Sequence, residues 1–541
     1  MSKSKLLQHL PLITLILVSI FLRFYKLGEI PVGLNQDEAS TMVEAKALLE
    51  TGADRWGTRL PVYFPSWGSG QNVLLSYLSI SFVAIFGMSI WSTRVVAAIL
   101  GVFAVWLMYK LVARLYNSSV SSRVALLAGG LLSILPWHLV ASRWGLESNI
   151  MPVFLLFGVY LITKTLQQRF TSIYTNPFAR FLDLSSQYLC LVPLAIALYA
   201  YGAAIAVVPI LLFLIFVFYF KTIVSNYQSW LISVLWFLFA AFPILLFVVK
   251  NYITKVNYPF EKYLPFTAPL LEVTRLDQIG GNRSKTWLDN YDFAINGFND
   301  TLPWNTVPGF ETIPKFLFIF VFIAIVWIIV ELIKSKIPSK ASSNFAKTDF
   351  QTVQLLPVLW LVSCIGNLAL IPANVNRANS IYIPLIILTA IGIACLGFNL
   401  NKYRGQYFVA VIGSIMVYSL LFTNYYFGTY STKFNFPRLL EEPFSKIKNN
   451  RNPTLISNQL PIHYIYILFY TPYPIAAFQE EHANSKFDVR KVGNFYIDPN
   501  LLIRDRITEY DFMLSKSQTA CSNEVVTFSN DDWKVGKCKI K

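Results

Sequence analysis

Asp37 and Glu38 are adjacent carboxylates that follow an apolar run, residues 10–22, near the start of the chain. A carboxylate at the water edge of a bilayer belongs either to an ordinary polar loop or to a site that works there, because ionisable groups at membrane depth are costly and tend to be functional. Arg377 is the complementary feature. It lies in the short segment 372–380 with Asn374, Asn376 and Asn379 around it, and a guanidinium fork suits a phosphate. Its plainer reading is a salt bridge to an acid of the first loop. A third polar group, residues 137–149, holds His138, Arg143, Glu147 and Asn149. It reads equally well as an exposed turn, and one His near one Glu does not make a metal site. Gln71, Asn72 and Tyr201 are further polar candidates for substrate contact.

The elements that must carry these groups follow from composition. The chain has 541 residues, 55% hydrophobic and 14% charged, with a mean hydropathy of +0.50. A soluble domain carries roughly 25% charged residues, so the class is integral membrane protein. An aromatic content of 16% fits belts at both membrane interfaces. The net charge of +16 would suggest nucleic acid in a soluble protein. Here a cytoplasmic lipid leaflet is the simpler partner, and no nucleic acid is expected. Five cysteines show no metal-ligand spacing: Cys190, Cys364 and Cys395 lie in apolar runs, and Cys521 and Cys538 lie in a polar tail.

Counting apolar runs predicts about eleven spans, some of them short against the roughly 20 residues a span needs. Residues 74–86 are read as an interfacial helix. With the N-terminus inside, Arg114 and Arg123, Lys164, Lys402 and Arg404, and the basic segment 334–347 all face the cytoplasm, as the positive-inside bias requires. Segments 26–92, 142–149, 250–315 and 372–380 then face outward, with the tail. The fold class predicted is an all-α polytopic membrane protein over residues 1–423, with a small extracytoplasmic α/β domain at 424–541. The location predicted is the plasma (cell inner) membrane. A surface-lying helix is expected at 37–49, with its acids at the end the macrodipole favours. In the tail, residues 464–470 and 525–528 read as strands. Cys521 and Cys538 can pair in an exterior compartment, and the sequence leaves that pairing open.

Residues 23–38, with the core Pro31-x-Gly33-Leu34-x-x-Asp37-Glu38, resemble the first-loop signature of the polyprenyl-phosphate-sugar-dependent GT-C glycosyltransferases. The relatives in question are the protein O-mannosyltransferases and aminoarabinose transferases. Weaker likeness runs through Phe86-Gly87, Trp91 to Arg94, 136–149, 199–209 and 376–384. The resemblance implies a GT-C fold and sugar transfer from a lipid-linked donor to a protein, lipid or glycan acceptor on the outer side. It places the catalytic acid on Asp37, a second acid on Glu147 and the phosphate-binding arginine on Arg377. Glu38, Arg143, Asn149, Gln71, Asn72, Tyr201 and Asn376 are then substrate-binding candidates. Two departures stand out. Gly70-Gln71-Asn72 occupies the place of a lysine-proline motif in the aminoarabinose transferases, and the second acid is Glu instead of Asp. No cofactor is expected, and no metal, since guanidinium groups can supply the positive charge.

Two other classes remain open on sequence grounds. A transporter or flippase of lipid-linked saccharides would often show inverted repeats with broken spans at matching positions. A non-catalytic GT-C scaffold would keep the fold without needing Asp37.

Overall fold

The computed structural model describes residues 3–66, 70–116, 121–167, 187–274, 283–300, 302–335, 352–369, 371–430, 439–460, 462–483 and 487–539. Helix dominates. Among the described residues, seven helices are long and apolar enough to cross a membrane: Ile90–Leu115, Glu147–Gln167, Ala204–Ser225, Tyr227–Thr254, Lys315–Lys334, Val375–Asn399 and Asn401–Phe427. Four shorter apolar helices accompany them, His9–Phe24, Leu74–Phe86, Ser121–Ile134 and Val353–Leu368. The run at 188–201 folds only as Val192–Ala200, nine residues, or about 14 Å at 1.5 Å per residue. Among the described residues, length therefore supports seven spans where apolar counting over the whole chain predicts about eleven. Residues 336–347, most of the basic segment used to orient the chain, lie outside the described residues.

The chain divides into two compact units. One comprises residues 1–25, 97–245 and 279–429; the other comprises 26–96, 246–278 and 430–541. The elements that matter for the site are α1 (Lys3–Phe24), α2 (Gln36–Thr51), α3 (Ser121–Ile134), α4 (Glu147–Gln167), α5 (Arg283–Ile295), α6 (Leu356–Leu368), α7 (Tyr382–Asn399), α8 (His463–Tyr470) and α9 (Pro499–Arg504).

The first unit is a helical bundle whose helix ends are tied by two buried arginines. The last carbonyls of a helix have no partner within it. Arg23, in the last turn of α1, donates to Leu132 O at 3.3 Å and Ser133 O at 3.2 Å, at the end of α3. It also donates to Ser19 O at 3.3 Å, and His138 Nδ1 lies 2.7 Å away. Arg143 in turn donates to Leu22 O and Arg23 O, both at 2.9 Å, and to Tyr25 O at 2.7 Å, closing the end of α1. Close helix contact elsewhere depends on Gly392 of α7, where a Cβ would overlap the carbonyl of Phe320.

The second unit is built on a six-stranded sheet of order β4-β5-β3-β6-β8-β7. The strands are β3 (Thr454–Ile456), β4 (Lys491–Val492), β5 (Phe495–Tyr496), β6 (Glu509–Ser515), β7 (Val525–Ser529) and β8 (Trp533–Lys539). Strand β3 runs parallel to β5 and β6, and β8 is antiparallel to both β6 and β7. One face of the sheet packs Met513 and Val535 against Ile465 and Phe469 of α8 and against Met42 and Val43 of α2. The other face joins Leu455, Tyr496 and Phe512 to Leu502 of α9 and to Cys538, which is disulfide-bonded to Cys521.

Two expectations are corrected here. Residues 464–470 form helix α8, not a strand. A seven-residue apolar run does not distinguish the two by periodicity. The helix at 37–49 does not lie on the surface, because residues 38–48 of α2 are all buried. The tail covers them.

Candidate active site

In the second unit, α2 begins with a capping box that engages the backbone N–H of Asp37 and the side chain of Glu38. Asn35 Oδ1 accepts from Asp37 N at 2.8 Å, and Glu38 Oε2 accepts from Asn35 N at 3.2 Å. Reciprocal caps of this kind satisfy backbone donors that the helix leaves open. Glu38 is fully buried and paired with the equally buried Arg94, Nε to Oε1 at 3.0 Å and Nη2 to Oε2 at 3.1 Å. The rest of that guanidinium binds Pro31 O and Gly33 O, each at 2.7 Å. One arginine thus holds the Pro31-x-Gly33 turn against the helix start. Asp37, one position earlier, is only half-buried.

Gln71 and Asn72 form the short strand β2, paired with β1 (Tyr63–Phe64). Gly70, at φ +83°, allows this pairing, since a Cβ there would strike Phe64 O and the Tyr63 ring. Gln71 Oε1 accepts from Ser40 Oγ at 2.6 Å, and its Nε2 lies 3.5 Å from Asp37 O. Behind them Arg55 Nη2 donates to Ser40 Oγ at 2.8 Å and Ser66 Oγ at 3.1 Å. Arg55 also pairs with Glu44 at 2.8 Å. Burial pushes the Glu44 carboxyl up, against the pull of that guanidinium. From the tail, Tyr466 of α8 donates its hydroxyl to Leu34 O at 3.0 Å. Burial and then the nearby Glu38 and Asp37 charges raise its pKa.

In the first unit, the segments around 147 and 376 come together. Ser148 Oγ donates to Asn376 Oδ1 at 3.2 Å, and Asn379 Nδ2 donates to Ser148 O at 3.1 Å and Asn149 Oδ1 at 3.2 Å. Trp137 Nε1 donates to Asn379 Oδ1 at 2.7 Å, and its ring stacks on Tyr382 with centroids 4.4 Å apart. Glu147 stands at the first position of α4. Arg377, half-buried, has its backbone N–H bound by Asn374 Oδ1 at 2.8 Å and its Nη1 on Pro372 O at 3.0 Å. Residues 283–300 hold this segment in place. Asn290 Oδ1 accepts from Ala373 N at 2.5 Å, and Asp300 Oδ2 accepts from Val375 N at 2.9 Å.

Of the sequence candidates, Asn149, Asn376 and Arg377 thus share one polar cluster with Ser148 and Asn379, while Asp37, Glu38, Gln71 and Asn72 share another. Arg143 is fully buried with its guanidinium on the α1 carbonyls and 4.8 Å from the Phe427 ring centroid. Tyr201 is buried at the break after Val192–Ala200. Sequence reasoning missed Arg94, Tyr466, Asn290 and Asp300 as organisers, and named Asn379 only as a neighbour of Arg377. Arg94 and Asn379 carried a signal, since each lies in one of the stretches of weak likeness. Among the described residues, no three His, Cys, Asp or Glu side chains converge as a metal-ligand set.

No protein-family model and no curated protein sequence matches the chain. Solved structures do. ArnT from Cupriavidus metallidurans bound to undecaprenyl phosphate matches with a TM-score of 0.58 at 13% identity, over 97% of each chain. Its apo form gives 0.59 at 13% identity, over 99% of this chain and 98% of that one. AglB, the oligosaccharyltransferase of Archaeoglobus fulgidus in complex with an inhibitory peptide and a dolichol-phosphate, gives 0.53 at 14% identity, over 95% of this chain and 70% of its own. At such identities the likeness is one of architecture. The chain shares the fold of ArnT and AglB over nearly its whole length, in keeping with the fold that the first-loop resemblance implies.

Proposed function

We propose that the protein is a membrane glycosyltransferase that moves a sugar from a polyprenyl-phosphate donor to an acceptor hydroxyl on the extracytoplasmic side. The observation that carries this reading is the near-complete overlap, 97% of both chains, with ArnT bound to undecaprenyl phosphate. The two polar clusters supply residue types suited to the reaction. Asp37, half-buried at the second position of α2 while its neighbour Glu38 is held by Arg94, takes the proton from the acceptor hydroxyl. The acceptor oxygen then attacks the anomeric carbon, and the bond from that carbon to the phosphate oxygen breaks. General-base help of this kind contributes about 10²–10⁴ in rate. Arg377 meets the departing lipid phosphate, where a preorganised cation stabilises developing charge. Glu147 is the second acid of this reading, and Asn149, Asn376, Gln71 and Asn72 are its further substrate contacts. Arg143 acts through the end of α1 and not on substrate.

Purified protein in lipid nanodiscs, given radiolabelled polyprenyl-phosphate sugars and a panel of envelope acceptors, should release polyprenyl phosphate and labelled product. Asp37→Asn should lower turnover by about 10²-fold or more while thermal unfolding stays unchanged. Full turnover in that variant would remove Asp37 from the role of base. Movement of intact donor between leaflets without release of phosphate would replace the enzyme by a flippase.

A further inference from the structure

Helix α5 presents Trp287, Leu288, Tyr291 and Ile295 to the outside at 63%, 66%, 64% and 53% exposure. At the helical period these four fall within an arc of about 100°. Asn290 and Phe293 face the other way, and Phe293 is buried. Asp289 and Asp292, both exposed, flank the apolar stripe on one side. Water is a poor neighbour for a continuous stripe of Trp, Leu, Tyr and Ile, whereas this pattern suits a helix lying in the plane of a bilayer interface.

The attachment of α5 sets the depth at which it lies. Asn290 Nδ2 donates to Leu368 O at 2.5 Å and Ile371 O at 2.9 Å, so it closes the carbonyl end of α6. Just beyond α5, Phe298 packs on Phe318, at the start of Phe318–Ser335, and on Tyr382, at the start of α7. The segment therefore rests on the ends of three apolar helices. Such ends stand at the edge of the hydrocarbon, and Trp and Tyr concentrate there.

We infer that α5 is an interfacial anchor, seated on lipid headgroups through its Trp287–Ile295 stripe, and that it holds the Arg377 segment at headgroup depth. The link is Asn290, which grips Ile371 O and Ala373 N on the entry to that segment. A lipid phosphate lies at that depth as well. This second half of the inference rests on the proposed use of a polyprenyl-phosphate donor. The first half does not.

The test is depth measurement by spin labelling in nanodiscs. Cys190, Cys364 and Cys395 are buried and are replaced by Ala, with the Cys521–Cys538 disulfide retained. Labels at Leu288→Cys and Ile295→Cys should collide several-fold more with dissolved oxygen than with a water-soluble nickel chelate. Labels at Asp289→Cys should show the reverse. Equal nickel access at all three positions, or no collisions with either reagent at 288 and 295, would overturn the anchor whether or not the protein transfers sugar. For the link, Asn290→Ala should raise the donor KM several-fold at constant acceptor KM, with the depth profile of 288 and 295 kept. An unchanged donor KM would detach α5 from the Arg377 segment.

Discussion

Arg143 and Arg377 are both cations of short polar segments, and the sequence offers each as a substrate-binding candidate. Their surroundings separate them. Arg143 is fully buried on three carbonyls at the end of α1, whereas Arg377 is half-buried in a cluster of asparagines. Arg143→Gln should therefore lower the thermal midpoint, by a loss of about 2–3 kcal/mol for stranded buried acceptors, with little change in donor KM. Arg377→Ala should do the opposite, raising donor KM with the midpoint held. Differential scanning and steady-state kinetics on the same preparations decide it, and a donor KM effect in Arg143→Gln alone would reverse the assignment. The acid pair divides in a comparable way. Glu38→Ala leaves Arg94 buried without its carboxylate, a loss of about 3–5 kcal/mol, so this variant should unfold far more easily than Asp37→Asn. An intact midpoint would show that the ion pair is not structural. The sequence singled out the Asp37-Glu38 pair through its position after an apolar run. It could not show that Glu38 is paired, because the partner lies 56 residues on and nothing local marks it.

At the scale of elements, what holds the Arg377 segment is a pair of residues from a different stretch of chain. Asp300 accepts from Val375 N, from Leu302 N at 2.9 Å and from Asn305 Nδ2 at 2.8 Å. Burial raises its carboxyl pKa above the ordinary 3.8, with those hydrogen bonds pulling the other way. A folded-state pKa above the unfolded one means that the folded form binds the proton more tightly. The stability this group contributes is then full below its ordinary value and is lost as pH rises through the raised one. The difference in thermal midpoint between the natural protein and Asp300→Asn should accordingly shrink as pH is raised from about 4. A difference that grows over that range would contradict the burial argument. Little of this clamp was legible. The long segment 250–315 could be recognised as more than a linker by its length and its aromatic content, but Asn290 and Asp300 sit among other polar residues with no spacing that betrays their partners. Apolar runs, in contrast, located most of the helices, and failed where run length stopped matching helix length, as at 188–201 against Val192–Ala200.

For the whole molecule, the sequence separates a membrane body from a tail beginning at 424, because hydropathy drops there. Packing draws a different line. The core of the second unit joins Leu440, Phe444, Ile456, Tyr466, Phe469 and Phe478 of the tail to Leu34, Met42, Val43 and Trp56 of the first loop. Tail and loop are also pinned by polar contacts, Lys46 Nζ on Tyr473 O at 3.0 Å and Glu50 Oε2 accepting from Ile475 N at 3.1 Å. Contacts this far apart in sequence leave no local trace, so a composition-based boundary cannot find them. The contact reaches the entry to α2, where Tyr466 of α8 in the tail donates to Leu34 O just before the Asn35 cap. It follows that residues 439–541 should not fold well without 26–96. Expressed alone, they expose one whole face of α8, and large exposed apolar patches drive association. Amide spectra of the isolated tail should be poorly dispersed and its unfolding weakly cooperative, and joining residues 26–96 to it through a flexible linker should sharpen both. A well-dispersed, cooperatively unfolding tail on its own would show that the sheet, α8 and the Cys521–Cys538 disulfide suffice, and that the first loop docks onto a finished domain.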